Sequence, residues 1–395
     1  MTIRGSWAAA AAALALALPA GAAEARPASL GLADDLAFAD SRPGPRSAAF
    51  RTARRVGARV VRLTLDWSAV APTGAVKPAG FDATDPASAL YHWGDIEDAV
   101  RDASRNRLRV LLTVVRAPRW AEGAGRPSSA RTGTWRPDPD ELAAFLRAAA
   151  RRFSGFYPDP KRPGDGLTTP GRSLPQVRWW QIWDKPNRAA SLRPARAGHY
   201  RVLLNAGRRA LRQVSGENVA VAGGTAAAGA LGFWRSLLCL RPGGCPARAA
   251  FDVLAHHPAR GRGPIAAGPL ARLAAMLRGA RRRGTVGGPR SNAIWLTDLS
   301  WPTPPLARGG VSARRQAENL RVSLRRAGRR PEVRLIVWEG LQDRRTYLPG
   351  RFPTVASGLY RRSGRGLAGA RPKPALSVFR SGLLSSSAWS GDGQP

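Results

Sequence analysis

The chain predicts a single (β/α)8 barrel, and three observations carry that expectation. Eight short apolar runs alternate with longer amphipathic stretches, the pattern of a parallel sheet wrapped by helices. A length of 395 residues suits one such barrel with decorated loops. No Gly-x-Gly-x-x-Gly opens a helix after the first strand, which argues against an open nucleotide-binding sheet.

The strands are expected at 30–38, 60–67, 109–115, 177–183, 219–222, 251–256, 293–298 and 333–338. Helical patterns fall at 47–56, 96–106, 139–153, 196–214, 232–238, 266–283 and 313–327. A last helix lies within either 354–361 or 373–379. Two stretches rich in Pro, Gly, Ser and Arg, 122–138 and 155–176, interrupt the rhythm and read as long surface loops. The first follows a strand and belongs to the rim where barrels place active sites; the second follows a helix and belongs to the opposite rim.

At the N-terminus, Met1-Thr2-Ile3-Arg4 precedes an Ala/Leu run over 8–18 and then small residues through Ala25. This reads as a basic region, an apolar region and a cleavage site at Ala23-Glu24-Ala25, so 1–25 is expected to be a signal peptide. An apolar run of about 11 residues is too short to span a bilayer. The alternative is an uncleaved amphipathic or buried helix. The barrel is then expected over 26–383, followed by a Ser/Gly-rich disordered tail over 384–395, in a secreted monomer. In an oxidising compartment Cys239 and Cys245, which enclose Leu-Arg-Pro-Gly-Gly, are expected to close a small disulfide loop, with two unpaired thiols as the alternative.

The formal net charge is +37, and all but four of the 63 basic residues are arginine. One reading is a polyanionic partner: nucleic acid, acidic polysaccharide or an anionic envelope. The other is compositional, because Ala, Arg, Gly and Pro are enriched along the whole chain. The arginines form no dense stripe and no nucleic-acid module is visible. The compositional reading is preferred. It leaves no specific nucleic-acid partner, and association with an anionic cell envelope becomes a side effect.

Barrel chemistry belongs where strands run out. Those ends carry Asp34, Asp35, Asp66 and Trp67, then Arg116 and Trp120, then Asp184, Lys185 and Asn187. The later strands end in His256-His257-Pro258, Asp298-Leu299-Ser300-Trp301, and Trp338-Glu339 with Asp343. Tryptophans beside carboxylates suit sugar binding, since a pyranose face packs on an aromatic ring while hydroxyls take polar partners. Each Trp taken alone reads more simply as a core residue or loop anchor; their recurrence at strand ends favours the sugar reading. The four histidines suggest no metal site, and no cofactor is implied.

At this point the chain resembles a family: the secreted retaining glycosidases whose catalytic glutamates follow strands four and seven of the barrel. It looks closest to actinobacterial cellulase- or xylosidase-like members. Trp180-Gln181-Ile182-Trp183-Asp184-Lys185-Pro186-Asn187 parallels W-Q-x-W-N-E-P-N. His199-Tyr200-Arg201 and Ala222-Gly223-Gly224 match the following helix and strand. His256-His257-Pro258 resembles H-H-P-Y, and Trp295 through Trp301 resembles W-x-T-E-x-S-W. Arg371-Pro372-Lys373-Pro374-Ala375 with Phe379-Arg380 matches the closing segment, so the resemblance spans nearly the whole mature chain.

The departures fall on the chemistry. By the resemblance, Lys185 occupies the acid/base position and Asp298, one methylene short, the position of the nucleophile. Asp184 replaces the Asn that binds a sugar 2-hydroxyl, and Ala259 replaces the Tyr of H-H-P-Y. A retaining glycosidase needs two carboxyl groups about 5–5.5 Å apart, and an ammonium matches acid/base work at neutral pH poorly. Lys185 and Asp298 are instead expected to meet as an ion pair across the barrel mouth, with Asp184 beside them.

Two functions follow from this. In one, the barrel binds oligo- or polysaccharide, anionic glycans included, without cutting it. In the other, it is an O-glycosyl hydrolase of altered mechanism: Asp298 acts as nucleophile or base, Lys185 as an electrostatic replacement, and Glu339 or Asp184 as acid. Under the hydrolase reading Asp184 and Asn187 orient the sugar and Trp120, Trp301 and Trp338 are its platforms; under the binding reading the tryptophans and histidine survive as the cleft, although His256 or His257 reads equally as a hydrogen-bonded core residue. His257 and Arg62 support the strand-seven carboxylate, with an ion pair from Arg62 to Asp66 or Asp35 as the alternative.

Overall fold

The computed structural model describes residues 28–164, 171–258, 261–289, 292–305, 310–344 and 356–384. The expected signal peptide, the tail and Ala259 lie outside them.

Eight parallel strands close into a barrel. They are β1 (Ser29–Ala33), β2 (Val60–Asp66), β3 (Arg109–Val115), β4 (Trp179–Ile182), β5 (Val219–Ala226), β6 (Val253–His257), β7 (Ile294–Leu299) and β8 (Val333–Glu339). Each pairs with its neighbour in sequence, and β1 closes on β8 with Ala33 opposite Glu339. Helices Pro43–Arg55, Gly94–Arg105, Pro139–Arg152, Ala197–Val214, Ala230–Leu237, Ala267–Arg282, Ala313–Gly328 and Pro374–Leu384 separate and enclose the strands. This is the single (β/α)8 barrel that the alternating pattern predicts.

Period-two alternation divides the core in two. Inward residues Ala33, Val60, Leu111, Val221, Val253, Ala255, Trp295, Leu335 and Val337 fill the barrel. Outward residues such as Val61, Leu63, Leu112, Trp180, Leu254 and Leu296 join the helices in a larger shell. Along β2 the same alternation carries Arg62 inward, two residues beyond Val60.

Several boundaries move for local reasons. β1 stops at Ala33, short of the expected end at Phe38, because the Asp34 side chain accepts the Ala37 N–H at 3.1 Å and caps a one-turn helix, Asp35–Phe38. β4 ends at Ile182 because Trp183 takes a positive φ of 71°. β5 runs on to Ala226 through a register shift between Gly223 and Thr225. Trp67 opens a further one-turn helix, Trp67–Val70. The closing helix is Pro374–Leu384, which decides between the two expected positions. A two-residue pairing of Ala249–Ala250 with Val286–Gly287 was not expected.

The Cys239–Cys245 disulfide forms. Among the described residues no helix is long and apolar enough to cross a membrane. Asp159, in the stretch after the helix Pro139–Arg152, is held by Arg101 of the helix Gly94–Arg105 at 2.6 Å.

Candidate functional site

β4 builds the centre of the barrel mouth. Trp180 faces the shell, and its Nε1 donates to Asn218 Oδ1 at 3.2 Å. Gln181 faces inward, and its Nε2 donates to Asp184 Oδ1 at 3.1 Å and to the Trp183 carbonyl at 3.2 Å. The chain then turns through two non-glycine residues of positive φ, Trp183 at 71° and Lys185 at 48°. Such conformations cost about 1–3 kcal/mol each and persist where the surroundings over-determine them. Here the Trp183 Nε1 donates to the Ser191 carbonyl at 3.0 Å, the Lys185 N–H to the Gly224 carbonyl at 3.1 Å, and the Tyr200 hydroxyl to the Ile182 carbonyl at 2.7 Å. The strained turn brackets Asp184 and sends Lys185 across the mouth.

Lys185 Nζ lies 3.4 Å from Asp298 Oδ2 and 3.6 Å from Asp184 Oδ2. The contact expected between Lys185 and Asp298 is therefore present, and both residues are buried, 7% and 2% exposed. His257 lies against the same group. Its Nε2 is 3.1 Å from Thr297 Oγ1 and 3.5 Å from Asp184 Oδ1, and its Nδ1 is 3.7 Å from Asp298 Oδ2. Burial pushes the His257 imidazole down to about 3, against the pull of Asp184 and Asp298, and Lys185 and Arg62 push it the same way. The ring is therefore neutral at physiological pH, although it touches two carboxylates.

Gly224 makes this packing possible. A Cβ there would stand 2.7 Å from Asp184 Oδ1, 2.7 Å from Gln181 Nε2 and 2.8 Å from His257 Nε2, and its φ is +84°. No real Cβ tolerates such approaches, so the site exists in this form only around glycine. Gln181, Gly224 and Thr297 were not singled out as site residues from the sequence. The Gly223-Gly224 pair at the end of a strand was the available signal for one of them.

Arg62 meets a different partner from the ones expected. Its Nη2 donates to Glu339 Oε2 at 2.9 Å. The register explains this: Arg62 on β2 and Glu339 on β8 both stand opposite Ala33 of β1, one on each side. Asp35 instead accepts from Thr64 Oγ1 at 2.8 Å, and Asp66 pairs with Arg116 and accepts from Ser68. Burial works to lower the Arg62 pKa, but Glu339, Asp184, Asp298 and Asp35 outweigh it, and the guanidinium is held firmly charged. Its support of Asp298 is thus through space, not by a hydrogen bond. Three carboxylates (Asp184, Asp298, Glu339) and two basic side chains (Lys185, Arg62) thus gather around a neutral imidazole, with the Asp66–Arg116 pair and Asp35 on neighbouring strand ends.

Other expected site residues are placed elsewhere by the packing. Asn187 accepts the Ala226 N–H at 2.9 Å and donates to the carbonyls of Ala226 at 2.7 Å and Ala228 at 3.0 Å. Both ends of its amide thus clip the β4 turn to the end of β5. Trp301 and Trp338 are each 1% exposed and lie 6.0 Å apart. Their indole N–H groups donate to the carbonyls of Gly263 and Gly340. The structure thus places both rings, expected as sugar platforms, within the packing rather than on an open face. Trp120 is partly exposed; its Nε1 donates to the Pro72 carbonyl at 2.8 Å, and Lys77 Nζ lies 5.4 Å from its ring. Among the described residues, no group of three or more His, Cys, Asp or Glu is arranged to hold a metal ion.

No family model matches the chain, and no curated protein matches it. Solved structures do. A family 39 glycoside hydrolase from Bacteroides cellulosilyticus WH2 is similar with a TM-score of 0.59 at 18% identity, over 91% of this chain and 64% of that one. This chain thus spans under two thirds of that protein's length. A GH5_18 protein from Streptomyces cattleya, solved in complex with GlcNAc, aligns with a TM-score of 0.58 at 15% identity, over 94% of this chain and 83% of that one. A glucosidase from Croceicoccus marinus gives 0.60 at 14% identity, over 91% and 68%. At such identities the likeness is one of fold: a glycoside-hydrolase-like barrel.

Proposed function

We propose that this protein is a secreted, glycoside-hydrolase-like barrel that binds carbohydrate at its mouth and is impaired in cleaving it. One observation carries the second half of that reading: Lys185 Nζ stands 3.4 Å from Asp298 Oδ2, at the positions where the resemblance puts two catalytic carboxyl groups. Retaining hydrolysis needs an acid that becomes a base, plus a carboxylate free to attack the anomeric carbon, with room for a sugar between them. Here an ammonium contacts the carboxylate directly. It neutralises the nucleophile and occupies the gap, and a cation held by two carboxylates is a poor base for the second step. The likeness to glycoside hydrolases, one of them solved with GlcNAc, supports the carbohydrate half. The signal-like N-terminus and the Cys239–Cys245 disulfide support export.

A second reading rests on Asp298 itself, a buried carboxylate at the end of β7. In it, substrate binding displaces Lys185, Asp298 attacks, and good leaving groups depart without an acid. The two readings separate in an assay of wild type and the Lys185→Glu/Asp298→Glu double variant on activated aryl glycosides, with oligosaccharide binding measured by calorimetry for both. Binding without turnover in the wild type, and turnover gained by the double variant, is the expected result. Wild-type turnover abolished by Asp298→Ala establishes the hydrolase instead. Failure of the wild type to bind any glycan overturns both.

A further inference from the structure

We infer that a cleft on the opposite rim of the barrel, away from the mouth, is a second binding site, for a linear uronate-bearing polysaccharide. The cleft has a volume of about 720 Å³ and lies where the C-terminal end of the helix Gly94–Arg105, residues 154–162 and 172–176, Arg178 ahead of β4 and Glu217 ahead of β5 come together. All of these precede the strands they serve, so the cleft opens at the strands' N-terminal ends, and none of its residues belongs to the mouth.

Three features point to the ligand. Phe156 lines the cleft and is 86% exposed, more than any other large apolar side chain described. A lone Phe held in water at the edge of a polar cleft is a platform for a pyranose face. Next, the charge left over is positive. The two acids in the lining are already engaged, Asp159 by Arg101 at 2.6 Å and Glu217 by Arg178 at 3.1 Å. Arg162 and Arg172 line the same cleft, are exposed, and form no salt bridge among the described residues. Finally, the backbone that carries these two arginines is pinned, which sets them side by side on the cleft wall. The Arg172 N–H donates to the Arg162 carbonyl at 3.0 Å, the Asp159 N–H to the Arg172 carbonyl at 2.7 Å, and Asp159 is anchored to Arg101. A fixed backbone sets the spacing of the two side chains, and each guanidinium fork matches a carboxylate in two-point geometry.

A uronate polymer satisfies all three, with one ring on Phe156 and flanking carboxylates on Arg162 and Arg172. Single-stranded nucleic acid fits less well, because it stacks successive bases on several aromatic rings and this cleft offers one. The choice of a sugar polymer rests in part on the carbohydrate reading of the mouth, but the site is separate.

The test uses the full chain with oligogalacturonates as the probe, a neutral cello-oligosaccharide and a single-stranded oligonucleotide as comparisons, and calorimetry at two salt concentrations. Phe156→Ala and the pair Arg162→Ala/Arg172→Ala replace exposed side chains; a thermal melt checks that each stays folded. Each is expected to weaken oligogalacturonate binding tenfold or more, while any neutral oligosaccharide bound by the wild type is bound equally by the variants. Oligogalacturonate affinity unchanged in both variants overturns the site and returns the attraction to net charge. Tighter, variant-sensitive binding of the oligonucleotide overturns the choice of ligand. Loss of neutral-sugar binding in the wild type counts against the mouth and not against this cleft.

Discussion

Lys185 sits where two buried carboxylates converge, and that position dictates what its removal does. Lys185→Met keeps the length of the side chain and deletes the cation between Asp184 and Asp298. Breaking a buried ion pair from one side costs about 3–5 kcal/mol, because the remaining charge stays buried. The expected outcome in urea denaturation at pH 7 is a loss of that order. Gly224 makes a second residue-scale test. Gly224→Ala forces a Cβ within 2.7 Å of Asp184 Oδ1 at a φ of +84°. Backbone strain alone is worth about 1–3 kcal/mol. The melting temperature is expected to drop by several degrees, and oligosaccharide binding at the mouth with it. Lys185 could be placed beside Asp298 from the motifs alone, because the resemblance supplies the geometry of the strand ends. Gly224 could not, because nothing local says which side chains will crowd a glycine.

Elements are joined at the barrel seam by Asp34. One oxygen caps the helix Asp35–Phe38 by accepting the Ala37 N–H at 3.1 Å; the other accepts the N–H of Leu341 at 2.9 Å, just beyond β8. The carboxylate thus fastens the first strand's end to the last strand's exit, and burial raises its pKa against Arg344 and those N–H donors. Asp34→Ala leaves buried N–H groups without acceptors, and Asp34→Asn turns an NH2 toward one of them. Each is expected to destabilise by about 1–3 kcal/mol, measured by the shift of the urea midpoint. The stretch 30–38 reads as one strand because apolar residues flank Asp34-Asp35 on both sides, and periodicity does not register where a side chain begins to cap a turn. Strand and helix positions elsewhere agree closely, since buried strands and amphipathic helices write their period into the sequence.

For the whole molecule, the buried histidines set the response to acid. Burial pushes His257 down to about 3 and His256 down to about 4, from an ordinary 6.5. Both are neutral in the native state, and the unfolded chain binds their protons more readily. Stability from this source is therefore complete above pH 6.5 and is lost as pH falls from 6.5 toward 4 and 3. Each histidine contributes a slope of up to about 1.4 kcal/mol per pH unit in that window. Denaturation at pH 7 and pH 5 is expected to show the loss, and His256→Gln to reduce its slope; a flat profile between those values contradicts the assignment.

The sequence by itself determined the number and order of the strands, the single barrel, the disulfide between Cys239 and Cys245, and the departures at 184, 185 and 298 from a sugar-cleaving pattern. All of these are local: a period, a spacing or a motif. Only the tertiary structure decided which side chains meet. Arg62 finds Glu339 across 277 residues because barrel closure places both opposite Ala33. Asn187 turns out to clip two loops together, and Trp301 and Trp338 are enclosed where the sequence suggested open platforms. The reason is physical. A strand's period says which face a residue takes, whereas register, closure and the loops above the barrel decide what lies on that face.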